Sequence, residues 1–196
     1  MRIFLTGATG FIGSKIIPEL VQAGHQVLGL TRSDAGAKQL TAAGAEVHRG
    51  DLEDPTTLRR GAEKADAVIH CAFDHDFSRF VENCQKDKRN IEAIAEALVG
   101  SKRPLLITSG TGMGSRGPGE LASEDVFDAT HANPRKISEE TGAAVAARGV
   151  NVSYVRLPQV HDTKKQGLIS PSSRSRARRG VSPTSATGRT AGPPRT

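Results

Sequence analysis

A doubly wound α/β fold, a parallel sheet with helices on both faces, is the class that this sequence predicts, and three observations predict it. Short runs rich in Val, Ile and Leu recur along the chain, separated by stretches with helical spacing. Three joints share one construction, AGHQV at 23 to 27, AGAEV at 43 to 47 and RGVNV at 148 to 152. Each places a glycine where a helix should stop and a strand start, so Gly24, Gly44 and Gly149 are expected to be left-handed caps. The first apolar run, Ile3 to Leu5, leads at once into glycines at 7, 10 and 13 and a helical stretch ending at Gly24. Strands that alternate with helices in this way pair in parallel, because each crossover lays a helix on one face.

The elements follow in order. A strand beginning at residue 2 precedes the glycine turn, and the helix after it carries Pro18, which removes a hydrogen bond to the Ser14 carbonyl and predicts a local kink. Next come a strand Gln26 to Leu30, a helix from about Ala35 to Ala43, a strand Glu46 to His48 and a short helix after Asp54-Pro55. A strand Ala67 to Cys71, a long helix from about Phe77 to Leu98 and a strand Leu105 to Thr108 follow. A loop through 109 to 133 leads to a helix starting near Pro134, and Val152 to Val155 is the sixth strand.

The glycine turn has a physical use, because glycine bends tightly and lets backbone approach a bulky anion, while the first amides of the following helix point at it. Gly7 would make the turn, Gly10 would lie against a pyrophosphate and Gly13 would let the helix pack closely. A plain tight turn is the alternative. The strand before it and the second strand at βαβ spacing favour a dinucleotide loop.

Bulk properties narrow the function classes. The 196 residues suit one domain, residues 1 to 162, followed by a tail, 163 to 196. No apolar run has the length of a membrane span and the chain opens directly into a strand, so a soluble cytoplasmic protein without membrane partners is expected. Cys71 and Cys84 have no pairing or metal-site spacing and read as ordinary thiols, with no metal expected. The net charge of +6 belongs to the tail, which holds eight Lys or Arg and no acid, whereas residues 1 to 162 carry 19 basic and 21 acidic groups. With no aromatic residues interleaved among those arginines, nucleic acid is not an expected partner. Residues 170 to 196 consist of Ser, Pro, Arg, Gly, Ala and Thr with Val181 as the one exception, which predicts disorder.

Five segments in order carry a resemblance: TGATGFIG at 6 to 13, GDLEDPTTL at 50 to 58, VIHCAF at 68 to 73, ITSG at 107 to 110 and VRLPQVHD at 155 to 162. Together they resemble the short-chain dehydrogenase/reductase superfamily, in its extended or atypical branch of the NAD-dependent epimerase/dehydratase kind, whose fold is a Rossmann-type sheet. The resemblance implies Gly7, Thr9, Gly10, Phe11, Ile12 and Gly13 at the pyrophosphate and Asp51 with Leu52 beside the adenine. It implies Cys71, Ala72 and Phe73 near the ribose, and Leu157 with Pro158 near the nicotinamide. Asp51 as a helix cap and Phe73 as core remain alternatives.

At the end of the second strand an NAD-preferring relative places Asp or Glu for the ribose 2′-hydroxyl, where this chain has Thr31, Arg32 and Ser33. A guanidinium pairs with a 2′-phosphate, so NADP is the preferred cofactor, with NAD as the other option and a solvated surface arginine as the alternative. The superfamily's Tyr-x-x-x-Lys pair should fall in HANPRKISEE, 131 to 140, but Ala132 or His131 stands where tyrosine belongs. Ser109 is present to hold a substrate oxygen, and Lys136 or Arg135 could supply the cation. The one tyrosine, Tyr154, lies on the sixth strand as core or sheet surface, and His131 reads more simply as a solvated loop residue.

The sequence therefore predicts an NAD(P)-dependent oxidoreductase or epimerase-type protein acting on a hydroxyl or carbonyl of a small molecule. The alternative is a non-catalytic NAD(P)-binding redox sensor or scaffold, which the missing tyrosine favours. In relatives the long fourth and fifth helices commonly pair, so a homodimer is an expectation, and C-terminal segments set the substrate. The tail's six residue types are those a GC-rich gene yields when read one base out of frame. Stepping back one base from Pro183 to Thr196 permits YVGDGANRWPA, which resembles the segment before the substrate-binding part of relatives. A frameshift near residue 165 is the expectation, with a genuine basic linker as its rival.

Overall fold

The computed structural model describes residues 1–115 and 121–158. The expectations for the tail and the frameshift lie outside the described residues. The elements run β1 (Arg2–Thr6), α1 (Gly13–Gln22), β2 (Gln26–Thr31), α2 (Asp34–Ala42), β3 (Glu46–Arg49), α3 (Pro55–Glu63), β4 (Ala67–His70), α4 (Phe80–Glu96), β5 (Pro104–Gly110), α5 (Ile137–Ala146) and β6 (Asn151–Leu157). Single 3₁₀ turns, Phe77–Arg79 and Pro134–Lys136, lead into α4 and α5, so both helices begin about three residues later than their sequence pattern suggests.

The six strands form one sheet in the order β3-β2-β1-β4-β5-β6, and the neighbouring pairs from β3 to β5 are parallel. This is the doubly wound Rossmann-type fold that the sequence predicts. Alternation along the strands feeds two cores. Phe4, Leu28 and Leu30 join Leu58, Ile91, Ile94 and Leu98, the layer of α3 and α4. Leu5 and Val27 join Ile17 and Leu40, the layer of α1 and α2. Each such fully buried side chain contributes about 1.5–3 kcal/mol. Gly24, Gly44 and Gly149 have φ of 79°, 79° and 89°, the left-handed caps expected of the three joints. α1 runs through Pro18 as one helix.

Two compact units divide the described residues, Met1–Gly110 with Ala129–Arg156, and 111–115 and 121–128 with Leu157 and Pro158. The first contains five complete strands, most of β6 and all five helices. In the second, the 3₁₀ turn Thr111–Gly114 is followed by a loop in which Ser123 N donates to the Gly114 carbonyl at 3.0 Å. Among the described residues no helix is long and apolar enough to cross a membrane, and no group of His, Cys, Asp and Glu could hold a metal.

Candidate functional site

The order of the strands reverses between β1 and β4, and in open parallel sheets the crevice beyond the carboxyl ends of strands at that switch receives ligands. The glycine turn and the loop after β4 meet there. Gly7 has φ of 67°, and a Cβ on it would stand 2.8 Å from the Ala72 nitrogen and 2.9 Å from the Cys71 carbonyl carbon. A Cβ on Gly13 would stand 2.2 Å from the Gly7 carbonyl oxygen, so only glycine lets α1 start this close to the turn. Thr9, Gly10, Phe11 and Ile12 form the turn between them, closed by a hydrogen bond from Gly10 N to Gly7 O at 2.9 Å.

The helix termini differ in a telling way. Ser33 caps α2 by accepting from Gly36 N at 3.0 Å, and Asp54 caps α3 by accepting from Thr56 N at 3.1 Å. No side chain caps α1, which starts directly on the turn, with Ser14 N bonded to the Gly10 carbonyl at 3.0 Å and Lys15 N to the Ile12 carbonyl at 2.9 Å. A glycine turn packed this closely on backbone, below a helix start that no side chain caps, fits a pyrophosphate.

The carboxyl ends of β2 and β3 form the outer flank. Thr31 is buried and its hydroxyl lies where a Cβ on Gly36 would reach, the exposed Ser33 is used as a cap, and the Arg32 side chain projects into solvent, 79% exposed. Its guanidinium stands 3.7 Å from Asp51. The Asp51 carboxylate accepts from Glu53 N at 3.1 Å and does not cap α3, which Asp54 does. Leu52 packs against the α3 and α4 core. Arg49 pairs with Asp34 on the same flank.

The inner flank is a buried polar chain. Thr6, at the end of β1, accepts from Ala72 N at 3.2 Å and meets His70 Nδ1 at 2.8 Å. His70 Nε2 donates to Asp87 of α4 at 3.0 Å, because a carboxylate only accepts. The other Asp87 oxygen accepts from Ser138 at 2.6 Å and from Arg135. Arg135 also donates to the Thr108 carbonyl at 3.2 Å and lies 4.0 Å above the Phe73 ring. His70 and Ser138 are fully buried and Asp87 nearly so. Burial alone would raise the Asp87 pKa, yet the Arg135 guanidinium, His70 and Ser138 hold it below the ordinary carboxylate range. Lys86, one residue earlier on α4, has a side chain only 4% exposed and bonds Glu53 after β3 and Asp74 after β4, the latter at 3.0 Å. It thereby ties together the loops that follow β3 and β4.

Of the residues expected to do chemistry, Ser109 ends up buried on β5 with a hydroxyl that has no partner among the described residues. Arg135 is engaged in the polar chain. Lys136 donates to the Ala129 carbonyl at 2.5 Å and stands 3.8 Å from Glu140. Burial raises the Cys71 thiol to about 11, so it stays protonated near neutrality. The Tyr154 hydroxyl donates to the Glu139 carbonyl at 3.2 Å, a packing role as expected, and His131 Nδ1 accepts from Asn133 N. Leu157 and Pro158 belong to the second unit. A groove between α3 and α4, lined by Arg59, Arg89, Glu92 and Glu96 among others, shares no residue with this site.

A dinucleotide cradle at the strand-order switch is the observation that decides the family, and comparison with known proteins agrees. The profile of the family described as NAD(P)H-binding matches residues 7–185. The chain belongs to that NAD(P)H-binding family, within the extended branch of the short-chain dehydrogenase/reductase superfamily. It is 48% identical over 158 residues to "Uncharacterized protein C2A9.02" of Schizosaccharomyces pombe, covering 81% of this chain and 53% of that one. It is 39% identical over 93 residues to a sterol-4-alpha-carboxylate 3-dehydrogenase (decarboxylating) of Dictyostelium discoideum, covering 47% of this chain and 28% of that one. The solved UDP-glucose 4-epimerase of Thermotoga maritima shares the fold with a TM-score of 0.68 at 18% identity, over 92% of this chain and 64% of that one. The chain thus spans about half the length of the S. pombe relative.

The sequence alone missed Thr6, His70, Asp87 and Ser138. Each left a signal in the form of a polar residue where the pattern calls for an apolar one, His70 inside VIHCAF most plainly.

Proposed function

We propose that this NAD(P)H-binding chain is an oxidoreductase that uses NADP(H), in preference to NAD(H), to interconvert a hydroxyl and a carbonyl on a small molecule. The observation that carries the reading is the Ser109 hydroxyl, buried at the carboxyl end of β5 with no partner among the described residues. An unpaired buried hydroxyl costs stability, and a substrate oxygen is the kind of group that would satisfy it. Bound dinucleotide supplies or accepts the hydride. The glycine turn and the α1 start hold the pyrophosphate, Asp51 and Leu52 border the adenine, and Cys71 to Phe73 pass the ribose. Lys136 contributes positive charge near the developing oxyanion. Arg135 is a positioning residue that fixes Phe73 and the start of α5. With Ala132 in the tyrosine position, turnover lacks a contribution of about 10²–10⁴ that a general acid gives.

The preference for NADP(H) rests on Arg32, since no acid stands at the end of β2 and Thr31 and Ser33 are committed to packing and capping. Nicotinamide fluorescence titrations should give tighter binding of NADPH than NADH, reversed by Arg32→Glu. Equal affinities, unchanged by that substitution, would overturn the preference.

We propose further that residues beyond about 165 are read one base out of frame, on the strength of the composition of residues 170 to 196, six residue types with Val181 excepted, and the motif recovered from the shifted frame. Resequencing between the codons for Thr163 and Pro171 tests this, and an unbroken frame with no overlapping open frame one base away would overturn it.

A further inference from the structure

The outer flank of the site holds two arginines and two aspartates in alternation. β2 and β3 pair with Thr31 opposite Arg49, which brings the residues just beyond each strand, Arg32 and Asp51, to the same edge. Arg32 faces Asp51 at 3.7 Å, and Arg49 is paired with Asp34. Each of these two arginines thus already faces a carboxylate of this chain across an exposed ion pair.

The two members of the first pair are not equally free. Asp51 is fixed from three sides. Its amide donates to Thr57 Oγ1 at 3.2 Å, one carboxylate oxygen accepts from Glu53 N at 3.1 Å, and the preceding Gly50 N is bonded to the Thr31 carbonyl at 3.2 Å. Its second oxygen is the one turned to Arg32. The Arg32 side chain is 79% exposed, and that of Asp51 36%. The acid is thus a fixed point and the base a long, solvated arm.

We propose that Asp51 sets cofactor specificity by holding Arg32 in an ion pair that a 2′-phosphate must displace, so that this chain discriminates between the two cofactors less sharply than its arginine alone would allow. The inference rests on the reading that Arg32 faces the 2′-phosphate. When the phosphate arrives, Arg32 exchanges one anion for another, and the gain is the difference between the two pairings. A carboxylate left without its cation beside a phosphate of about two negative charges opposes binding further. A cofactor with a bare 2′-hydroxyl leaves the pair intact and incurs neither cost.

Calorimetric titration with adenosine 2′,5′-bisphosphate and with AMP tests this on the adenosine half alone, without requiring turnover. Asp51→Asn should weaken AMP through any lost adenine contact, but that loss applies to both probes and cancels in their ratio. The ratio of affinities should shift two- to fivefold toward the bisphosphate, the range expected for releasing an exposed ion pair. In an Arg32→Ala background the same substitution should shift the ratio less, because it then removes only the direct repulsion between the Asp51 carboxylate and the phosphate, and an equal shift in both backgrounds would overturn the inference. A ratio that Asp51→Asn does not raise, while Arg32→Ala lowers it, would overturn the inference and keep the reading of Arg32. A ratio that neither substitution moves, or binding of neither probe, would overturn both.

Discussion

The two flanks of the candidate site use the same residue types to opposite ends. On the outer flank Arg32 and Asp51 are 3.7 Å apart in solvent, whereas on the inner flank Arg135 and Asp87 are paired with side chains 14% and 3% exposed. An exposed pair contributes about 0–1 kcal/mol, because water and salt compete for both ions and two side chains must be ordered. Breaking a buried pair by removing one partner leaves a charge with no solvent and costs about 3–5 kcal/mol. An arginine can therefore be offered to a ligand on the outer flank, while on the inner one it is committed to the fold. The sequence offers Arg135 beside Lys136 as a catalytic cation because both lie in the stretch 131 to 140 where the superfamily's lysine should fall, and position along the chain says nothing about which side chain is turned inward.

That contrast can be broken most decisively at Asp87. Asp87→Ala should lower the unfolding free energy by about 3–5 kcal/mol, since Arg135 and His70 both lose their acceptor. Urea denaturation of this variant beside Arg32→Ala, which should change stability by less than about 1 kcal/mol, measures the contrast directly. Equal effects would remove it. The same carboxylate sets a pH dependence. Because its pKa in the folded protein lies below the unfolded value, its contribution is complete above the ordinary carboxylate range and is lost as pH falls through the folded value. The acid limb of the stability curve should flatten in Asp87→Asn, and an unaltered limb would show that other carboxylates govern it.

Ser109→Ala sharpens the comparison from the functional side. Its hydroxyl has no partner among the described residues, so replacement should leave stability within about 0.5 kcal/mol or raise it slightly, while any turnover falls. A clear loss of stability would place that hydroxyl in the packing instead of at the substrate. The cofactor ratio of Asp51→Asn is the smallest of these effects, and the one that depends most on salt.

Local chemistry determined much of this protein. The glycines at 7, 10 and 13, the capped joints at 24, 44 and 149 and the alternating apolar runs fix strand, turn and helix within a few residues, and those signals were legible in order along the chain. They sufficed for the doubly wound sheet and the cofactor class, because a backbone bend and an apolar face are properties of neighbouring residues. Helix starts were less legible where a 3₁₀ turn comes first, at Phe77–Arg79 and Pro134–Lys136. What only the tertiary structure decided is how each charged side chain is used. His70 and Asp87 are 17 residues apart, and Asp87 and Ser138 are 51 apart. Nothing in either segment marks its partner, since the energy of an ion pair is set by distance and by exclusion of water, and both are created only when α4 and α5 close over the sheet.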